Sequence, residues 1–497
     1  MQSNKSKGKR RAEPDAADGR RGAVDDDANG KEELEFEDEF GDEFEEEEFA
    51  GEEGEEEMDD EQMQQVMQRE AMESDGVVAE VEGKLWRAGD AMAADEKLDY
   101  DSTAYDMLHR LHMEWPCLTF GFARDNLGEQ RNKYPMTAFA VAGTQAERSD
   151  QNRLVCAKLS HLAKTRHDED SSDDDDDDDA GADDDPLVEA QMAPHEGTVN
   201  RLRLMPQSSN IVATWSETGK VHIYNLAAHL SNLAQPGSAG PEALEAANKP
   251  LFTFGGHKDE GYALDFSLAK PGVLASGDCA NNIHVWQPRD GGSSWAVDPE
   301  PYVGHTASVE DVGWSPVEPN VMMSCGCDST VRVWDTRRKG GSALTVDEGH
   351  GTDVNVLSWN KLVNYLVVTG ADDGSFRVWD LRSFRNGEPV ARFHWHRGAI
   401  TSVEWSPTES SSIAVSGADH QITLWDLALE DDPDADSAVK GREDLQDIPP
   451  QLYFVHQGQT DVKEVHWHNQ LTGVLGSTAG DSFHVWKPAN HGDGAAE

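Results

Sequence analysis

Positive charge is scarce in this chain: 42 Lys and Arg stand against 96 Asp and Glu over 497 residues, a formal charge of −54. Such a field repels nucleic-acid phosphate and anionic lipid head groups and attracts basic proteins. Direct nucleic-acid binding and membrane association are therefore not expected. Long apolar runs are also missing: none approaches the ~18 to 20 residues of a spanning helix, and the first 30 residues lack a signal-peptide core. The expectation is a soluble, intracellular protein. Cysteine is sparse: the five (Cys117, Cys156, Cys279, Cys325, Cys327) are odd in number and form no C-x-x-C pair, which fits reduced thiols. Phosphate-binding, nucleophile-elbow, zinc-protease and kinase signatures are absent, so no enzyme, cofactor or metal is expected. His394-Trp395-His396 and His466-Trp467-His468 have no Cys or carboxylate at metal-ligand spacing in the sequence and read as strand residues.

Hydrophobic residues make up 37% and mean hydropathy is −0.68, too little for a folded state throughout. Residues 25–61 carry 23 acids against one lysine, and residues 168–185 carry 13 acids and no base. Residues 1–76 read as a disordered tail, basic then acidic, and 165–186 as an acidic loop. KSKGKRR, residues 5–11, reads either as a nuclear or nucleolar address or as a solubilising tail. Within FEDEFGDEFEEEEF the spacing places Phe36, Phe40 and Phe44 within about 80° of one another at helical pitch. Acidic-hydrophobic alternation marks a binding segment: the charges, Glu45 and Glu46 among them, draw in a basic partner, and the rings supply apolar or cation–π anchors. Asp173 and Asp174 open the seven-aspartate run after Ser171-Ser172, an acid-directed kinase site whose phosphate would deepen the existing charge.

From residue 195 onward the sequence repeats itself. Each unit runs from a His to an aromatic in an alternating strand: His195 to Tyr224, His257 to Trp286, His305 to Trp334, His350 to Trp379, His396 to Trp425, and His456 to Trp486. The spacing is 29 residues in five units and 30 in the sixth. Small-residue turns precede each last strand, with Asp328, Asp373 and Asp419 in three of them. This is the WD-repeat pattern, in which four-stranded sheets that cannot bury both faces alone close into a ring. A seventh unit is expected from residues 117–160, giving an all-β, seven-bladed propeller over 117–490 with irregular closure. The repeated His, Asp and Trp are expected to form one internal network per blade. Segments 227–250 and 428–450 read as surface insertions between blades, and residues 77–116 as a lead-in with a helix at about 101–115.

Loop positions after each His supply Glu260, Tyr262, Glu310, Asp353, Asn355 and Asp461, with Asn200 beside them. An acidic, partly aromatic mouth suits Lys- and Arg-rich peptide. A second acidic lip, Asp431, Asp432 and Asp434 beside an Ile-Pro-Pro turn, faces the expected helix and its Leu108, a groove for a basic helix.

The order LWRAGD, LDYDSTAYDMLHRLHMEWPCLTF, APHEGTVNRLRLMPQ, GHKDEGYALDFS and PPQLYFVHQGQTDVKEVHWH resembles the glutamate-rich WD-repeat proteins over residues 77–488. More distantly it is similar to the histone-binding retinoblastoma-associated WD proteins. The first resemblance implies a nuclear or nucleolar chaperone that holds a newly made basic ribosomal protein, in that family large-subunit ribosomal protein three, and delivers it to the early pre-ribosome. Core-histone binding within a chromatin complex is the implied alternative, and a substrate receptor in ubiquitin ligation is a third class that many propellers serve.

Overall fold

The computed structural model describes residues 101–165, 185–347, 349–430 and 448–490. They form seven four-stranded antiparallel sheets, so the seven-bladed ring expected from the repeats is present. Blade one holds strands Cys117–Ala123, Met136–Thr144, Arg153–Leu162 and Leu187–Pro194. Blades two to six follow in the same inner-to-outer order. Blade seven holds Val462–Trp467, Leu475–Ala479 and Phe483–Pro488, and its outer strand is Tyr105–Leu111, from the other end of the propeller sequence.

That strand corrects the expected helix. Only Ser102–Ala104 is helical, a single 3-10 turn capped by Asp101. From Tyr105 the chain is extended and pairs antiparallel with Phe483–Pro488. Helical spacing of Tyr105, Leu108 and Leu111 competed with the alternation of Tyr105 and Met107, both buried. The open edge of blade seven decides between them, because pairing there satisfies a row of backbone groups that a helix would leave exposed. The propeller therefore begins at 105, not 117.

Both segments expected between blades lie inside one, ahead of an outer strand. In blade two, residues 227–250 form helices Ala227–Ala234 and Pro241–Ala247 before the outer strand Phe252–Phe254. They are more than surface loop: His229, Leu233 and Ala247 are buried, and His229 Nε2 meets Asn248 Oδ1 at 3.0 Å. In blade six, 431–447 lies outside the described residues, between strands Ile422–Asp426 and Leu452–His456.

The core lies between the blades. One cluster joins Val285 and Ile283 of blade three to Trp314, Met322 and Trp334 of blade four, and equivalent clusters fill the next interfaces. Burying a side chain of this size contributes roughly 1.5–3 kcal/mol, which explains why each blade presents apolar residues on both faces. The tight turns before each third strand place one residue in the left-handed region: Asn281, Ser329 and His420, with Gly374 in blade five. At Gly374 a Cβ would sit 2.2 Å from the His396 carbonyl, so there only glycine fits.

Candidate partner-binding faces and the ionic belt

The repeated histidines form the expected internal networks, with two departures. In blade four His305 Nδ1 lies 3.0 Å from Asp328, its Nε2 lies 2.6 Å from Ser324 Oγ, and Trp334 Nε1 donates to that oxygen at 2.8 Å. His257 with Asp278 and His396 with Asp419 repeat the pairing, the latter completed by Thr423 and Trp425. In blade five Asp373 is exposed and does not reach His350. Ser375 Oγ takes its place at 3.1 Å, while Thr369 Oγ1 joins His350 to Trp379. In the sixth unit the 30-residue spacing marks a substitution. His456 ends the outer strand of blade six and meets the Tyr105 hydroxyl at 2.8 Å, and Gln459 holds Ser477 in its stead.

Of the mouth residues, the structure brings Glu260, Tyr262, Glu310 and Asp353 into one arc over blades three to five. Burial, then Glu260, Cys279 and Glu310, raises the Tyr262 hydroxyl. Burial, then Glu310 and Asp353, pushes the Cys327 thiol far up, and its Sγ donates to Glu310 Oε1 at 3.2 Å. Cys327 and Cys279 are thus parts of the arc that sequence reading took as plain turn residues. Asn200 Nδ2 donates to Glu260 at 2.9 Å. Among the described residues none of these three carboxylates has a Lys or Arg in ion-pair contact, which leaves their charge available to a ligand. Asn355 sits one step on, donating to the Ile400 carbonyl at 3.3 Å. Asp461 does not join the arc, because Lys463 Nζ neutralises it at 2.7 Å. Leu108 lies on the flank, in the strand, its N–H donating to Thr165 Oγ1 at 2.9 Å. Phe36, Phe40, Phe44, Glu45, Glu46, Asp173, Asp174, Asp431, Asp432 and Asp434 lie outside the described residues.

Around the axis the inner strands carry a belt of polar links that sequence reading missed. Thr119 accepts from Leu202 N, Asp265 from Trp314 N, Asp311 from Leu357 N, Ser358 from Trp405 N, Glu404 from Trp467 N and Glu464 from Phe120 N, all at 2.7–3.3 Å. Arg201 Nε closes the remaining junction by donating to Tyr262 O at 3.0 Å. Each blade is thereby tied to the next. Glu464 also receives Arg201 at 2.5 Å and Arg203 at 2.9 Å, which joins blade seven to blade two across blade one. Burial opposes its ionisation, but Arg203 and Arg201 outweigh burial and hold the carboxyl well below the usual range. Asp265 has no such cation in contact, and burial pushes it up to about 7. The signal was in the sequence: ALDF, VEDVGW, TSVEW and VKEVHW each put an acid two or three residues before or beside an aromatic in a strand buried on both faces.

A groove of about 620 Å³ runs at the rim of blade one, between residues 110–115 and the two outer strands. Val188 and Met192 on the edge strand are 47% and 52% exposed, and Trp115 and Met113 form the opposite wall. No helix of the described residues is long and apolar enough to cross a membrane.

Comparison with known proteins agrees with this architecture. A family profile described as the histone-binding protein RBBP4, or its counterpart in the CAF1 complex, matches residues 95–163, and the WD domain, G-beta repeat, matches 300–335, 341–380 and 387–426. The WD40 propeller domain of Doa1, a solved structure, superposes with a TM-score of 0.50 at 14% identity, covering 78% of this chain and 97% of that one, a likeness of fold alone. Ribosome assembly protein rrb1 of Schizosaccharomyces pombe is 44% identical over 413 residues, 81% of this chain and 84% of the relative. Glutamate-rich WD repeat-containing protein 1 of Dictyostelium discoideum is 46% identical over 419 residues, 82% of this chain and 85% of the relative. With the ring, the networks and likeness at that level along most of its length, the chain belongs to the glutamate-rich WD-repeat family.

Proposed function

We propose that this chain is a non-catalytic ribosome-assembly factor of the nucleus. It holds a newly made basic protein of the large subunit, large-subunit ribosomal protein three by the family resemblance, and delivers it to pre-ribosomal particles in the nucleolus. The observation that carries the reading is the arc of Glu260, Glu310 and Asp353 left without a cation on a rigid ring, in a chain 44% identical to a protein named for ribosome assembly.

The mechanism follows from charge. A ribosomal protein away from RNA carries excess positive charge that any polyanion would capture. The mouth seats Lys or Arg side chains by charge-assisted hydrogen bonds. The acidic stretches 25–61 and 168–185 add many exposed pairs worth ~0–1 kcal/mol each, summed by local concentration and screened by salt. Phe36, Phe40 and Phe44 add ring contacts that charge alone lacks. Ribosomal RNA, with denser charge, displaces them all, so release requires no nucleotide.

A second reading, a carrier of core histones, is favoured by the histone-binding profile over residues 95–163, the segment that builds the closing strand and blade one. One experiment separates the two. The full-length protein is captured from nuclear extract and eluted in a salt gradient. Large-subunit proteins and assembly factors released progressively between about 0.1 and 0.5 M salt are the expected result. Core histones as the main eluate would select the second reading, and a client that stays bound at high salt would overturn the electrostatic mechanism.

A further inference from the structure

His466, on the inner strand of blade seven, stands with both ring nitrogens against carboxylates. Nδ1 is 2.9 Å from Glu404 Oε2 of blade six, and Nε2 is 3.2 Å from Glu464 Oε2 of its own strand. The site is largely closed: the side chains of His466 and Glu404 are each 18% exposed and that of Glu464 is 2% exposed. A neutral imidazole donates through one nitrogen only, and its other nitrogen presents a lone pair. Here either tautomer sets a lone pair against a carboxylate oxygen at hydrogen-bond distance. Only the doubly protonated ring satisfies both contacts.

We propose that His466 is kept as an imidazolium clamping blade six to blade seven, so that closure of the ring is proton-linked and loosens as the surroundings turn alkaline.

Every charged group around it is accounted for. From blade six, Glu404 also meets Lys361 Nζ at 3.5 Å and accepts from Trp467 N. From blade two, Arg201 and Arg203 approach Glu464 Oε1, leaving Oε2 for His466 and Phe120 N. From blade one comes no charge but the Phe120 ring, 4.9 Å away. Two carboxylates therefore face three permanent cations, of which Lys361 is the most distant and the side chain most open to water, 44% exposed. Burial works against the charged ring, but the bonds to Glu404 and Glu464 outweigh it and raise its affinity for the proton. On the same strand His468 shows the opposite setting. Its Nδ1 accepts from Gln470 N and Leu471 N at 3.0 Å, and burial with Arg131 and Arg124 nearby lowers it to about 3. Two histidines two positions apart are thus fixed in opposite protonation states by what they face.

The linkage has a definite sign. A histidine whose folded affinity for the proton is raised contributes stability that is complete below about pH 6.5, its unfolded value, and is lost as pH climbs through the folded value. The test uses the full-length chain labelled with ¹⁵N-histidine, the His466 ring signals being assigned by their loss in His466→Gln. At pH 7.5 both His466 nitrogens are expected to be protonated, with His468 neutral. The His466→Gln variant is expected to lose more melting temperature at pH 6.5 than at pH 9. Glu404→Gln, which keeps shape and removes one acceptor charge, is expected to lower the His466 midpoint by at least one pH unit. A singly protonated His466 ring at pH 7.5, an equal loss of melting temperature at both pH values, or a midpoint unmoved in Glu404→Gln would each overturn the clamp.

Discussion

The molecule uses carboxylates in two contrasting ways. On the inner belt Glu404, Glu464, Asp265 and Asp311 are buried or nearly so, and each accepts a backbone N–H from the next blade. At the mouth Glu260, Glu310 and Asp353 are half-exposed, supported by an amide or a thiol, and not in contact with a cation. A buried charge has to be matched, because the desolvation cost is large and only a close partner offsets it. An exposed one pays little to stay unmatched. The belt is therefore frame, and the mouth is surface held ready for a ligand.

The largest expected effect breaks the frame. Glu464→Ala strands Arg201 and Arg203 in a closed site and removes the acceptor for Phe120 N, at a cost of about 3–5 kcal/mol, measured by urea unfolding. Next comes a comparison of sister turns. Asp328→Ala leaves the buried His305 Nδ1 without its partner and costs about 1–3 kcal/mol. Asp373→Ala, at the matching position of blade five, costs at most about 1 kcal/mol, because Ser375 already serves His350. Equal losses would mean that the turn aspartates act locally and not through histidine. The smallest change in stability is expected at the mouth. Glu260→Gln, Glu310→Gln and Asp353→Asn together shift stability within about 0.5 kcal/mol, yet weaken binding of a Lys- and Arg-rich peptide three- to tenfold, with a shallower salt dependence. An unchanged peptide affinity would remove the mouth from the binding face.

How much of this was legible follows from what kind of signal each part leaves. The ring was, because the His-to-Trp spacing of a blade is set by three strands of nearly fixed length and cannot drift. Even the exceptional unit announced itself through its extra residue, although only the structure showed Gln459 in the place of histidine. The strand at Tyr105 was not, because its partner lies at the other end of the propeller and local periodicity favoured a helix. The mouth was found by position in the repeat, which delivered Glu260, Glu310 and Asp353 but could not foresee that Lys463 cancels Asp461. Pairwise compensation is a property of space. For the same reason His466 looked metal-poor in sequence, since Glu404 comes to it from another blade.

The closing strand sets a timetable. Asp106 and the Lys487 that pairs with it are 381 residues apart in sequence, so a ribosome adding roughly 5–20 residues per second needs about 20–80 s to supply the second after the first. Throughout that interval blade seven does not exist, blade one has no neighbour on that side, and the belt has no Glu464 to receive Arg201. Ring formation is a post-synthetic event governed by one long loop closure, and a chain interrupted anywhere before Phe483 forfeits it altogether.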